Sequence, residues 1–158
     1  MSFDADKPTK LFTVEEANAR LPLIRAIVKD LADLSRDVIE RRQRLSHLLA
    51  GRNVDADDPY SAELVQVENE LEKDGERLQE YVEELRQLGV EPKNGPEGLV
   101  DFPAMIDGRL VYLCWKLDEP EVTHWHEIDV GFAGRQPLVA GAASTSGDNG
   151  LDIDESAF

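Results

Sequence analysis

Apolar residues recur at alternating steps of three and four through two long stretches of this chain. That repeat confines both stretches to helices packed along a seam. The first runs from Val14 and Ala17 through Leu21, Ile24, Val28 and Leu31 to Val38, Leu45 and Leu49, with Ser35 and Arg42 as its polar breaks. Thr13 and Glu16 form a capping box after Phe12 and mark the start. Gly51 is a stop signal, and residues 51–59 (GRNVDADDP) read as a turn. Pro22 lies two turns into the pattern, which predicts a kink or break near residue 20. The second stretch has its seam at Leu64, Val67, Leu71, Leu78, Val82, Leu85 and Leu88, and Gly89 caps it.

Two helices joined by a short loop fold back antiparallel, and facing residues then have numbers summing to about 110. That register sets Leu21 on Leu88, Ile24 on Leu85, Leu31 on Leu78 and Val38 on Leu71. It also sets Ser35 on Gly75, small against small, and Arg42 on Glu68, opposite charges.

The character of the sequence changes after residue 89. Asp107-Gly108 separates two strand-like runs, 99–106 and 109–116, and predicts a type I′ hairpin. Pro103 places the first of these strands at an edge or a bulge. Residues 117–120 (LDEP) make a second turn, and 121–127 a third strand. Residues 139–158 contain four acids, no Lys or Arg, and many small residues. Such a segment buries too little apolar area to offset ordering and is expected to be a disordered acidic tail. The expected fold class is α+β: a helical hairpin over residues 1–89, a three-stranded antiparallel meander with a Gly-rich loop over 90–138 forming one domain with it, and the tail.

Charge narrows the functions. Thirty-three acidic against 17 basic residues give a net charge of −16. A surface of that sign is unsuited to phosphate backbones or anionic lipid, so neither nucleic acid nor membrane is expected as a partner. No apolar stretch is long enough for a span, and the first ten residues lack a secretory h-region. The single cysteine, Cys114, excludes an internal disulfide and fits a cytoplasmic setting. Mid-strand between Leu113 and Trp115, it reads as a buried, inert thiol. Trp115 and Trp125 are expected in the core between sheet and helices.

One segment, 123–129 (THWHEID), carries the candidate chemistry. His124 and His126 point the same way on a strand and can grip one divalent ion, with Asp129 as the nearest third ligand. Glu127 points to the opposite face. The competing reading packs both histidines against the sheet's apolar face, and a meander counted through the second turn sets His124 beside Leu113 and Phe102. Asp101, Asp107, Glu127 and Asp129 form a possible set of oxygen ligands. Arg135, ending the loop 131–137 (GFAGRQP), is either an anion anchor or the partner of a nearby acid. No nucleophile–histidine arrangement, P-loop or dinucleotide fingerprint is present, so no catalytic residue is assigned.

The segments 12–18 (FTVEEAN), 98–103 (GLVDFP), 107–109 (DGR), 112–115 (YLCW), 125–127 (WHE) and 131–138 (GFAGRQPL) together resemble a bacterial family catalogued as domain of unknown function 2203. The likeness covers about residues 11–138 and implies a shared fold in a small cytoplasmic protein, with no reaction attached. It moves the weight of any site onto His126, Glu127 and Arg135. In layout alone the chain is also similar to bacterial transcript-cleavage factors, which pair an acidic-tipped hairpin with a β domain.

Three functions are therefore expected in turn. The first is an interaction or regulatory module that homodimerises to cover Ile27, Leu34 and Leu48, which lie off the seam. The second is a metal- or small-anion-binding protein centred on His126, Glu127, Asp129, Arg135 and Asp101, with His124 as a further metal ligand. The third is a transcription regulator presenting Asp55, Asp57 and Asp58 at the hairpin tip.

Overall fold

The computed structural model describes residues 10–50 and 61–138. The expected tail and the acidic hairpin tip lie outside these residues. Helix α1 spans Val14–Leu49 and helix α2 spans Ser61–Gln87. Five strands follow: β1 Glu91–Asn94, β2 Leu99–Ile106, β3 Arg109–Lys116, β4 His124–Glu127 and β5 Gln136–Pro137. They form one antiparallel sheet in sequential order. The class is α+β as expected, with five strands in place of three. Both added strands are short, lie at the edges and contain proline (Pro92 and Pro137). Proline reads as loop in a sequence, yet it is tolerated where one side of a strand has no partner.

Local signals account for the element ends. The Thr13 hydroxyl accepts from Glu16 N–H at 3.0 Å, and the Glu16 carboxylate accepts from Thr13 N–H at 2.9 Å. These bonds satisfy donors that the first turn leaves open. Helix α1 continues through Pro22 without the expected break, and the proline ring lies exposed. At the end of α2, Gly89 N–H donates to Arg86 C=O and Val90 N–H to Leu85 C=O. Gly89 has φ +88°, so this is a Schellman cap, with Val90 and Leu85 both in the core. Asp107 and Gly108 have φ +56° and +73°, as a type I′ turn requires. Pro103 lies beyond the end of β1. Its carbonyl accepts from Phe12 N–H at 2.7 Å, so its missing N–H falls on a side with no strand.

The core lies between the hairpin and one face of the sheet. Ile24, Ile27, Val28 and Leu31 of α1 and Leu85 of α2 pack with Phe102, Leu113, Trp115 and Trp125. The seam up to Val38 and Leu71 is as expected, and the sheet covers the off-seam Ile27. Two expected exceptions in the seam are corrected. Nothing lies within 4 Å of where a Cβ on Gly75 would stand, whereas one on Gly95 would meet Ser35 Oγ at 2.8 Å. The small partner of Ser35 is therefore the loop before β2. The cross-helix ion pair joins Arg41 to Asp74, with Asp37 also on Arg41, in place of Arg42 with Glu68. Beyond these residues no strand among the described residues covers the hairpin, and Leu48 is 54% exposed.

Candidate metal centre

Strand alternation sends half of each strand's side chains away from the helices. On this outer face β2 contributes Asp101, β3 contributes Tyr112 and Cys114, and β4 contributes His124 and His126. The pairing is Asp101 with Cys114, Cys114 with His124, and Tyr112 with His126. This corrects the register counted from sequence by one residue. His124 does not lie beside Leu113 and Phe102; Trp125 does. Because side chains alternate, the slip exchanges the faces of all of β4. Its cause is the segment before β4. Val122 N–H donates to Asn18 Oδ1 of α1 at 2.7 Å rather than to β3. Arg25 of α1 donates to the carbonyls of Glu119 and Pro120 at 3.3 and 3.0 Å. The strand consequently starts at His124, not at 121.

Asp101 and His126 come from strands on opposite sides of β3, about 10 Å apart at the backbone, and their side chains meet over it. His126 Nε2 stands 3.0 Å from Asp101 Oδ1, and both side chains are almost wholly buried. Ligating atoms of Asp101, Cys114 and His126 all lie within 4.8 Å of one another. A cavity of about 300 Å³ opens onto them.

The other ring nitrogen decides what this cluster can do. His126 Nδ1 is 2.7 Å from the carbonyl oxygen of Glu127, which can only accept, so Nδ1 carries a proton. Nε2 faces a carboxylate, another acceptor. Either a second proton or a cation must stand between them. Burial pushes the His126 pKa down, but the Asp101 hydrogen bond and the Glu127 carbonyl outweigh it, so the pKa lies above the ordinary histidine value. Neither nitrogen is left to take a proton from Cys114. Burial, then the Asp101 charge, pushes that thiol up to about 12 against the pull of Arg135. Nucleophilic catalysis by Cys114 with His126 as base is thus disfavoured.

The remaining expected residues fall elsewhere. Glu127 lies on the opposite face, as expected for its place in the strand, and pairs with Arg109 at 2.8 Å. Asp129 is exposed and outside the cluster. Asp107 occupies the hairpin turn, so the four acids expected as oxygen ligands are not brought together. Arg135 pairs with Glu119 at 2.7 Å, the internal partnering that is one of its two readings. His124 contacts Thr123 Oγ1 at 2.9 Å, and burial, then Arg135, holds its pKa below the usual value. Of the three metal ligands expected from sequence, only His126 belongs to the cluster; Asp101 and Cys114 replace His124 and Asp129.

The family described as "Uncharacterized conserved protein (DUF2203)" matches residues 10–138. The chain belongs to this family. The match covers α1, α2, the whole sheet and the cluster. No curated protein and no solved structure matches the chain. Members of domain of unknown function 2203 carry no assigned reaction in that description, so the chemistry rests on the cluster itself.

Proposed function

We propose that this protein binds one divalent transition-metal ion through Asp101, Cys114 and His126. The observation that carries the reading is three different donors converging at the foot of a cavity, with the histidine already oriented by a backbone carbonyl. A metal-bound histidine usually donates its other N–H to such a carbonyl. An ion at Nε2 resolves the contact between two acceptors and replaces the high-pKa thiol proton of Cys114. A tetrahedral ion with bonds of about 2.0–2.3 Å spaces its ligands by about 3.3–3.7 Å. The ligating atoms already lie within 4.8 Å of one another, so that spacing would need the Asp101–His126 pair to open slightly and the wider pairs to close. One sulfur, one nitrogen and one oxygen suit zinc best. Three protein ligands leave the fourth position facing the cavity, the pattern of zinc sites that bind or polarise a small molecule. The test is elemental mass spectrometry of untagged protein. We expect close to one metal equivalent in the natural chain and near none in Cys114→Ser and His126→Ala. Metal-free protein that also takes up no added zinc overturns the reading.

A second reading, self-association, is favoured by the bare half of the hairpin. Leu45, Leu48, Leu64 and Val67 line a groove of about 450 Å³ between Arg41 and Arg44 on one helix and Glu63 and Glu70 on the other. A two-fold axis would set each arginine wall against a glutamate wall. Sedimentation equilibrium is expected to give a dimer that Leu48→Glu dissociates; a monomeric natural chain at micromolar concentration rejects this reading.

A further inference from the structure

The cavity over the cluster has walls that choose a ligand. Tyr112 and the buried Leu99 form part of it. Ile128 and Phe132 form the rest, and they are 49% and 37% exposed. Large apolar side chains exposed beside a polar floor mark a binding surface more often than a solvated loop. The Phe132 ring is held in place by the Arg135 guanidinium, 4.4 Å from its centroid. At the rim Lys93 lies 5.6 Å over the Tyr112 ring, and no carboxylate of the described residues pairs with it.

We infer that the cavity takes a small monocarboxylate with an apolar body. The inference rests on the metal reading. One carboxylate oxygen occupies the open metal position, the Lys93 ammonium neutralises the anion, and the body lies between Phe132, Ile128 and Tyr112. The charge count selects a monoanion. Asp101 at the floor opposes a second negative charge. Arg135, which would be needed to hold a phosphate fork, pairs with Glu119 and is not among the residues lining the cavity. The volume of about 300 Å³ lies at the lower end of ligand pockets, which favours a compact molecule.

The experiment uses the full chain loaded with cobalt(II), whose visible spectrum reports its ligands. Benzoate is titrated beside benzamide and inorganic phosphate. Benzoate is expected to change the spectrum saturably, benzamide to leave it unchanged, and phosphate to bind more weakly. Lys93→Ala is expected to weaken benzoate about tenfold, the scale of one charge-assisted contact, while binding cobalt as before. Lys93→Arg is expected to restore most of the loss. Cobalt bound with no response to benzoate overturns this inference and leaves the metal reading intact. So does phosphate binding as tightly as benzoate, or a Lys93→Ala variant that binds benzoate normally. A chain that binds no cobalt overturns both.

Discussion

The two faces of the sheet are built from the same strands and bury their side chains for opposite reasons. The inner face carries Phe102, Leu113, Trp115 and Trp125, whose large apolar surfaces gain by leaving water and packing against α1 and α2. The outer face buries Asp101, Cys114 and His126, which lose hydration and replace part of it through one another and the Glu127 carbonyl. A buried polar pair is weak evidence for stability, because apolar replacements of similar volume are often as stable. The difference teaches that the inner face holds the molecule together, while the outer face gathers the groups on which the proposed site rests.

The largest test of that contrast is Trp125→Ala. It empties the centre of the inner face and is expected to cost about 3–5 kcal/mol, measured by urea denaturation. A loss under about 1 kcal/mol would mean that the inner face is not one continuous core.

Next is Asp101→Ala in metal-free protein. It leaves His126 buried without its anion and is expected to cost about 3 kcal/mol. The double variant Asp101→Leu/His126→Leu is expected to return to within about 1 kcal/mol of the natural chain while binding no zinc. If the double variant is as unstable as the single one, the outer face contributes to folding like the inner face and the contrast fails.

Removal of metal ranks third. Zinc at a free concentration a hundredfold above its dissociation constant is expected to add about 2.7 kcal/mol, which a chelator removes. The natural chain should show this shift by calorimetry and Cys114→Ser should not. Equal shifts in both would place the ion elsewhere.

The smallest effect is electrostatic. Burial raises the Glu119 pKa, but the Arg135 hydrogen bond and the Lys116 N–H outweigh it and bring it below the usual value. A carboxylate with a depressed folded pKa stabilises fully above its unfolded pKa, about 4.3, and that contribution is lost as pH falls through the folded value. Glu119→Gln is thus expected to cost about 1 kcal/mol at pH 7, with the difference from the natural chain shrinking below about pH 4. The cost of Trp125→Ala should show no such convergence, since that residue does not titrate. A Glu119→Gln deficit that stays constant down to pH 3 would show that the pair acts through packing rather than charge.

Parts of the candidate site are legible in the amino-acid sequence. A two-residue Asp107-Gly108 turn pairs Ile106 with Arg109 and, counting outward, Asp101 with Cys114. That count needs only the turn, and it already sets Cys114 beside an acid. His126 stands out through its place in a strand, but its partners do not. The turn at 117–120 suggests a tight return, while the segment up to Thr123 is drawn onto α1 by Arg25 and Asn18. Those contacts span 94 to 104 positions and leave no local trace.

The sequence by itself determined both helices, the capping box, the Asp107-Gly108 hairpin and the apolar seam as far as Val38 and Leu71. Each rests on a periodicity or a backbone preference that acts within a few residues. Only the tertiary structure decided the register of β4, the Pro-bearing edge strands and the meeting of Asp101, Cys114 and His126. A strand's register depends on where its preceding loop is anchored. Here the anchor is a helix at the other end of the chain, and a shift of one residue is enough to carry a histidine from the packed face of the sheet to the face that holds the cluster.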